Sequence, residues 1–226
     1  MTSDTLDIRL GRLAALPAEL PHYWRLLDND ERKRALGMKN PRRQADYVET
    51  HGRLRLVLGE AVDAAPEQLQ FARNAHGKPY LADYPDFGFN LSHTSDRIAV
   101  VLSRRRRVGI DIEACQPRTN LHALAAKCFG EAEKAYWLDL PEAEQLQAFY
   151  RFWTRKEAFV KAAGQGLTLG LQQCVVDPLN PVRMLGVPQS CGLAGDWSLY
   201  DLAPEDGVCG AIAVDGAIAA VSIGKL

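Results

Sequence analysis

Three short strings of this 226-residue chain carry the groups that could do chemistry. Val108-Gly-Ile-Asp-Ile-Glu113 holds Asp111 and Glu113, and Phe89-Asn-Leu-Ser-His93 ends in a Ser-His pair. Trp153-Thr-Arg-Lys-Glu-Ala-Phe-Val-Lys161 holds Glu157 and Lys161. In a strand, residues two apart leave the same face, so Asp111 and Glu113 would project together while Ile110 and Ile112 enter the core. Paired carboxylate oxygens on a rigid strand suit a hard cation such as Mg²⁺. In a helix, Trp153, Glu157 and Lys161 share one stripe. Phe149, Phe152, Phe159 and Val160 make that helix apolar around much of its circumference. An acid and a lysine on so embedded a helix point to a lined cleft, not open solvent. Together these groups are the chemical kit of a site for a divalent metal and a polyphosphate.

Other residues could extend the site. Ser92 and His93 end an apolar strand, where a hydroxyl and an imidazole can reach a phosphate oxygen. A catalytic triad is disfavoured: no Gly-x-Ser-x-Gly elbow surrounds Ser92, and adjacent strand residues point apart. The alternative is a turn in which Ser92 bonds nearby backbone. In Gly77-Lys78-Pro79 the lysine offers charge and the rigid Pro79 a surface for a base. The basic stretch Arg32, Lys33, Arg34, Lys39, Arg42, Arg43 is mainly a solvated face, with one or two members available to a peripheral phosphate.

Leu6, Ile8 and Leu10 alternate with polar residues and predict an opening strand. Asp28 to Met38 favours helix. Asn40-Pro41 predicts a capped start for an amphipathic helix running to about Asp63. Strands are expected at Leu69 to Arg73, Phe87 to Leu91, Arg97 to Ser103 and on through Glu113, with Arg104 to Arg107 as a hairpin tip. Helices follow at Leu121 to Phe129 and Glu131 to Leu140. A long one runs to Ala163, with Gly164 as its left-handed cap. Strand-like pieces at Cys174 to Val176, Trp197 to Leu202, Val208 to Val214 and Ala217 to Ile223 close the chain. The last two, split by Asp215-Gly216, read as a hairpin. The order implies an α+β protein of two halves, 1–108 and 109–226.

Composition narrows the class. The net charge is -1, against a duplex nucleic-acid binder. No apolar run approaches a membrane span, and Met1 to Leu10 lacks a signal-peptide core, so a cytoplasmic protein is expected. The five cysteines have no C-x-x-C spacing, which argues for free thiols over a zinc site or a disulfide framework.

With these residues assembled, the chain resembles the Sfp-type 4′-phosphopantetheinyl transferase family over roughly Asp28 to Leu171. Gly77-Lys78-Pro79, Phe89-Asn-Leu-Ser-His93, Gly109-Ile-Asp-Ile-Glu113 and the Trp153 to Lys161 string match the family's motifs in order, and Gly164-Gln-Gly-Leu167 also fits. The resemblance implies a pseudo-twofold pair of α+β subdomains with coenzyme A as co-substrate in the cleft between them. It implies Mg²⁺-dependent transfer of the 4′-phosphopantetheine arm to a serine of an acyl- or peptidyl-carrier protein, releasing adenosine 3′,5′-bisphosphate. That is an activity of the holo-[acyl-carrier-protein] synthase class.

By the same resemblance, Asp111, Glu113 and Glu157 match the metal-binding acids. Glu157 also matches the candidate base, and Lys161 the lysine beside the pyrophosphate. His93 matches a contact to the 3′-phosphate; Ser92, Lys78 and Pro79 lie near the adenosine part. Asp46 stands near an expected arginine, which leaves Arg43 for the 3′-phosphate. Leu167, Leu169 and Leu171 lie where the carrier is met. A monomer is expected, with neither nucleic acid nor membrane as partner. The alternatives are a metal-dependent phosphohydrolase or nuclease, and an inactive carrier-binding module. Fatty-acid, polyketide and nonribosomal-peptide carriers all remain open.

Overall fold

The structure, a computed structural model, describes residues 5–218 and 220–226, with the backbone alone at 167 and 168. Two β-sheets each lie under one long helix. The first sheet is built from β1 (Thr5–Arg12), β4 (Phe87–Thr94), β5 (Arg97–Arg104) and β11 (Ala220–Lys225), in the order β11-β1-β5-β4. The second contains β6 (Val108–Ala114), β9 (Trp197–Glu205) and β10 (Val208–Asp215), in the order β6-β10-β9. Two short pairs sit outside them: β2 (Phe71–Arg73) with β3 (Pro79–Leu81), and β7 (Val175–Val176) with β8 (Met184–Gly186). The α+β class expected from the element order is the class observed.

Local chemistry sets the helices. After α1 (Leu20–Leu26), α2 (Asn29–Leu36) starts with a full capping box in which Asp28 and Glu31 bond each other's backbone N–H. In α3 (Pro41–Val62) the Asn40 side chain accepts from the Arg43 N–H at 3.1 Å, and Pro41 takes the first helical position. Leu54, Val57 and Leu58 of α3 pack on Phe89, Val100 and Leu102 of the first sheet. Short helices α4 (Leu121–Cys128) and α5 (Glu131–Asp139) precede α6 (Glu142–Ala163). The last helix ends at Gly164 in the left-handed region, as its sequence predicts. Its inner face buries Phe149, Phe152 and Phe159 against Trp197, Leu199, Ala211 and Ala213 of the second sheet. Both long helices have 22 residues.

Two expected hairpins are absent, for one reason. Strand β5 is flanked by β1 and β4, so Arg104 to Arg107 cannot turn β6 back onto it and instead links the two sheets. Strand β10 is flanked by β6 and β9, so the chain after Asp215-Gly216 leaves that sheet. It pairs as β11 in parallel with β1, Leu6 opposite Val221 and Ile8 opposite Ile223. Helix α1 was not anticipated; no side chain caps its N-terminus, and Pro21 in its first turn is a weak signal without a cap.

Candidate active site

The two sheets meet where β4 runs beside β6, and side chains join them. The Ile110 N–H donates to Asn90 Oδ1 at 2.9 Å, the Ile112 N–H to Ser92 Oγ at 3.2 Å, and the Ala114 N–H to Thr94 Oγ1 at 3.1 Å. Alternate residues of β4 thus supply the acceptors that the neighbouring strand's amides require, as strand period two permits. The same alternation aims Phe89 into the first core and leaves His93 open to solvent. The sequence offers Ser92 a phosphate or a turn; the residue is 4% exposed, and its hydroxyl bonds within this seam.

Close approach of α6 to β6 places the charged groups. A Cβ on Gly109 would lie 2.1 Å from the Ala158 carbonyl oxygen, so only glycine admits the helix at this depth. Among Phe152 to Ala162, only Trp153, Glu157 and Lys161 escape full burial. The stripe expected from i, i+4 spacing is therefore the open face of an embedded helix. Trp153 stacks on Phe149 and packs against the core. Lys161 Nζ donates to Asp111 Oδ1 at 2.7 Å, to Ser92 Oγ at 3.1 Å and to the Ile110 carbonyl at 3.1 Å. Ser92 also donates to Asp111 Oδ1 at 3.0 Å, and Thr94 donates to Glu113 at 3.4 Å.

These acids resist ionisation. Burial raises the Asp111 carboxyl above its ordinary value, against the lowering pull of Lys161 and Ser92. Glu157 is raised by burial and then by the negative charge of Asp111 and Glu113, with Lys161 opposing. Glu113 is raised by burial and by Asp111. The three carboxylates repel one another, and Lys161 neutralises Asp111. Among the described residues no three His, Cys, Asp or Glu side chains are gathered closely enough to hold a metal ion. Yet the donors suit Mg²⁺: all are hard oxygens, and Asp111 Oδ2 is buried without a hydrogen-bond partner. A cation would satisfy that atom and relieve the repulsion.

His93 faces the same cleft. Partial burial lowers its imidazole first, then the charge of Lys161 and of His51, with Asp46 opposing. Lys78 turns inward: its Nζ donates to the Val108 carbonyl at 2.9 Å and the Ala162 carbonyl at 3.2 Å. Desolvation lowers this lysine to about 8, with the charge of Arg107 adding to the effect. Pro79 lines a cavity of 260 Å³ together with His51, Arg34, Phe71 and Arg73 and with the acids Asp28, Asp30 and Glu31. Arg43 stands exposed on the first turn of α3, and Asp46 pairs with Arg42 at 3.0 Å. Arg34 and Arg73 are thus basic groups already beside Pro79. Arg34 was indistinguishable within the basic stretch, and Arg73 had no motif to single it out. Leu169 is 6% exposed and Leu171 packs against the second core, while the Leu167 side chain lies outside the described residues.

Supporting groups surround the stripe. Lys156, next to Glu157, is fully buried and pairs with the equally buried Glu133 at 2.6 Å. Its Nζ also donates to the Leu171 and Cys174 carbonyls. Arg155 makes a two-pronged bond to Asp201 at 2.8 and 2.6 Å. These bonds hold α6 to the segments that flank it.

The sequence that builds this site matches a known family. A family model described as the 4′-phosphopantetheinyl transferase superfamily matches residues 107–212, the span from the start of β6 into β10. The 4′-phosphopantetheinyl transferase HetI of Nostoc sp. is 32% identical over 84% of this chain and 79% of its own length. The chain belongs to the 4′-phosphopantetheinyl transferase superfamily. The 4′-phosphopantetheinyl transferase AcpT of Salmonella typhimurium is 36% identical over 56% of this chain and 70% of its own. The 4′-phosphopantetheinyl transferase Sfp of Bacillus subtilis is 33% identical over 52% and 51%. The hydrolase and inactive-module alternatives yield to this assignment. Among the described residues no helix is long and apolar enough to cross a membrane.

Proposed function

We propose that this protein transfers the 4′-phosphopantetheine arm of coenzyme A to a serine of an acyl- or peptidyl-carrier protein, as a holo-[acyl-carrier-protein] synthase does. The observation that carries the reading is the open stripe of Glu157 and Lys161 beside Asp111, set within a chain of this superfamily.

Asp111, Glu113 and Glu157 would hold Mg²⁺, which when bound neutralises phosphate charge and orients the reacting phosphorus. Lys161 is fixed by Asp111, Ser92 and a backbone carbonyl, so its charge is preorganised for the diphosphate and for the charge that grows on the leaving oxygen. His93 and the basic pair Arg34 and Arg73 bind the peripheral phosphate, and Pro79 supports the base. Arg43 is an outer candidate for the same phosphate. The serine oxygen attacks the β-phosphorus, and the bond to adenosine 3′,5′-bisphosphate breaks. Glu157 accepts the hydroxyl proton, and its raised proton affinity suits that task. Positioning and electrostatics supply most of the rate, as in other phosphoryl transfers. We assign the reaction to the cytoplasm and to a monomer.

Incubating the protein with Mg²⁺, coenzyme A and a panel of apo carrier proteins tests this. One carrier should gain the mass of a single phosphopantetheine arm. Coenzyme A breakdown with no carrier modified would contradict the assignment.

A further inference from the structure

The second sheet carries a pair of thiols that the transfer reaction does not use. Cys115 follows Glu113 by two residues at the end of β6, and Cys209 lies on β10 in register with Glu113. The Cys115 N–H bonds the Gly207 carbonyl at 2.8 Å, which holds the strand end against β10. Cys115 Sγ lies 3.1 Å from Cys209 Sγ, with both thiols free. A disulfide needs about 2 Å between sulfurs, so roughly 1 Å of approach closes the bond.

The pair is reachable. Both residues line a cavity of 350 Å³ with Leu146, Gln147, Gly207 and Asp206. Cys209 is buried and Cys115 only partly so. Cys128, Cys174 and Cys191 are buried in the same core beneath α6 that Cys209 joins, but they do not line this cavity. Cys115 is the more exposed of the two, so it meets an oxidant first and Cys209 resolves.

We propose that Cys115 and Cys209 form a redox-sensitive pair that a low-molecular-weight disulfide closes into a reversible bond, and that closure disturbs Glu113. Cys115 gives its proton to water and, as the thiolate, attacks one sulfur of the small disulfide, giving a mixed disulfide and expelling one small thiolate. Cys209 then attacks the Cys115 sulfur, its proton passes to water, and the second small thiolate leaves. The protein pair loses two electrons and the small disulfide gains them. Under reducing conditions the thiols persist, so the bond is a switch and not a structural staple. The pull acts on the strand end that carries Glu113 on the same face. That second part rests on the metal role proposed for Glu113, whereas the bond itself does not.

The test treats the full chain with oxidised glutathione, followed by mass spectrometry and Mg²⁺ titration calorimetry. Wild type should lose two hydrogens, yield a peptide joining Cys115 to Cys209, and revert with dithiothreitol. Mg²⁺ affinity should fall about tenfold on oxidation, in the range expected when groups around a metal ligand are displaced. Cys115→Ser should keep its Mg²⁺ affinity under both conditions and form no internal bond. Cys209→Ala should stop at the mixed disulfide on Cys115. Stable glutathionylation of wild-type Cys115 with no internal bond would overturn the proposal, as would a bond that leaves Mg²⁺ affinity unchanged. Failure of the transferase reading looks different: the reduced protein would then neither bind Mg²⁺ nor modify a carrier.

Discussion

Glu157 is ringed by like charge. Burial and the carboxylates of Asp111 and Glu113 all work against its ionisation. Sites built for function commonly store such conflict at the expense of stability. Glu157→Gln should therefore cut the transfer rate more than tenfold, as should Asp111→Asn. Glu157→Gln should also raise the metal-free melting temperature, by about 2–4 °C if relief of repulsion is worth about 1 kcal/mol. Thermal denaturation in a chelating buffer, run beside the transfer assay, reads both effects. Lys161→Ala removes a cation bonded to Asp111, so it should lower both rate and stability. Asp111, Glu113, Glu157 and Lys161 were legible in the sequence because strand and helix periods put them on shared faces. Arg34 and Arg73 were not, since nothing in the chain order says which basic residues end up beside Pro79.

At the scale of elements, the seam between β4 and β6 carries the arrangement. Phe87 to Leu91 reads as a strand, with Ser92 and His93 at its end offering a phosphate contact or a turn; the strand runs on to Thr94, and its polar alternates hold a second strand. The spacing was visible; the partner was not, because three-dimensional neighbours 20 residues apart leave no local mark. Ser92→Ala would leave the Ile112 N–H without its acceptor and remove one bond each from Asp111 and Lys161, which still bond each other. It should destabilise the fold by about 1–3 kcal/mol and reduce transfer; Thr94→Val should destabilise similarly. Urea denaturation of both variants checks this, and an unchanged midpoint in each would remove the seam's energetic role. Lys156 was hidden within its own motif, where its neighbour Glu157 drew the chemical reading. Its removal as Lys156→Met strands Glu133 at 0% exposure and should cost about 3–5 kcal/mol. The missing hairpins have the same lesson: Arg104 to Arg107 and Asp215-Gly216 have turn chemistry, but filled sheet edges decide where the chain goes next.

Across the whole molecule the two sheets are tied together by more than the seam. Strand β11 follows the second sheet in the chain yet pairs with β1 in the first, and Lys78 reaches the carbonyls of Val108 on β6 and Ala162 on α6. With a folded value of about 8, against 10.5 when free, Lys78 binds its proton less tightly in the native state. The unfolded chain then holds more protons between those values, so stability rises with pH through that window. Below about pH 8 the penalty of burying the charge is fully present. Compared with Lys78→Met, the wild type should gain stability between pH 8 and 10, read as the difference in urea midpoints. A difference independent of pH would mean that Lys78 stays charged.

Most of the account depends on acids from β6 and α6 serving one cation. Crystals of the protein grown with coenzyme A and Mn²⁺, a cation of similar oxygen preference, give the position directly through anomalous scattering. The account predicts one peak, bound by oxygens of Asp111 and Glu157 together and touching the coenzyme's diphosphate. A peak held by Asp111 with Glu157 turned away, or one remote from both residues, would contradict it.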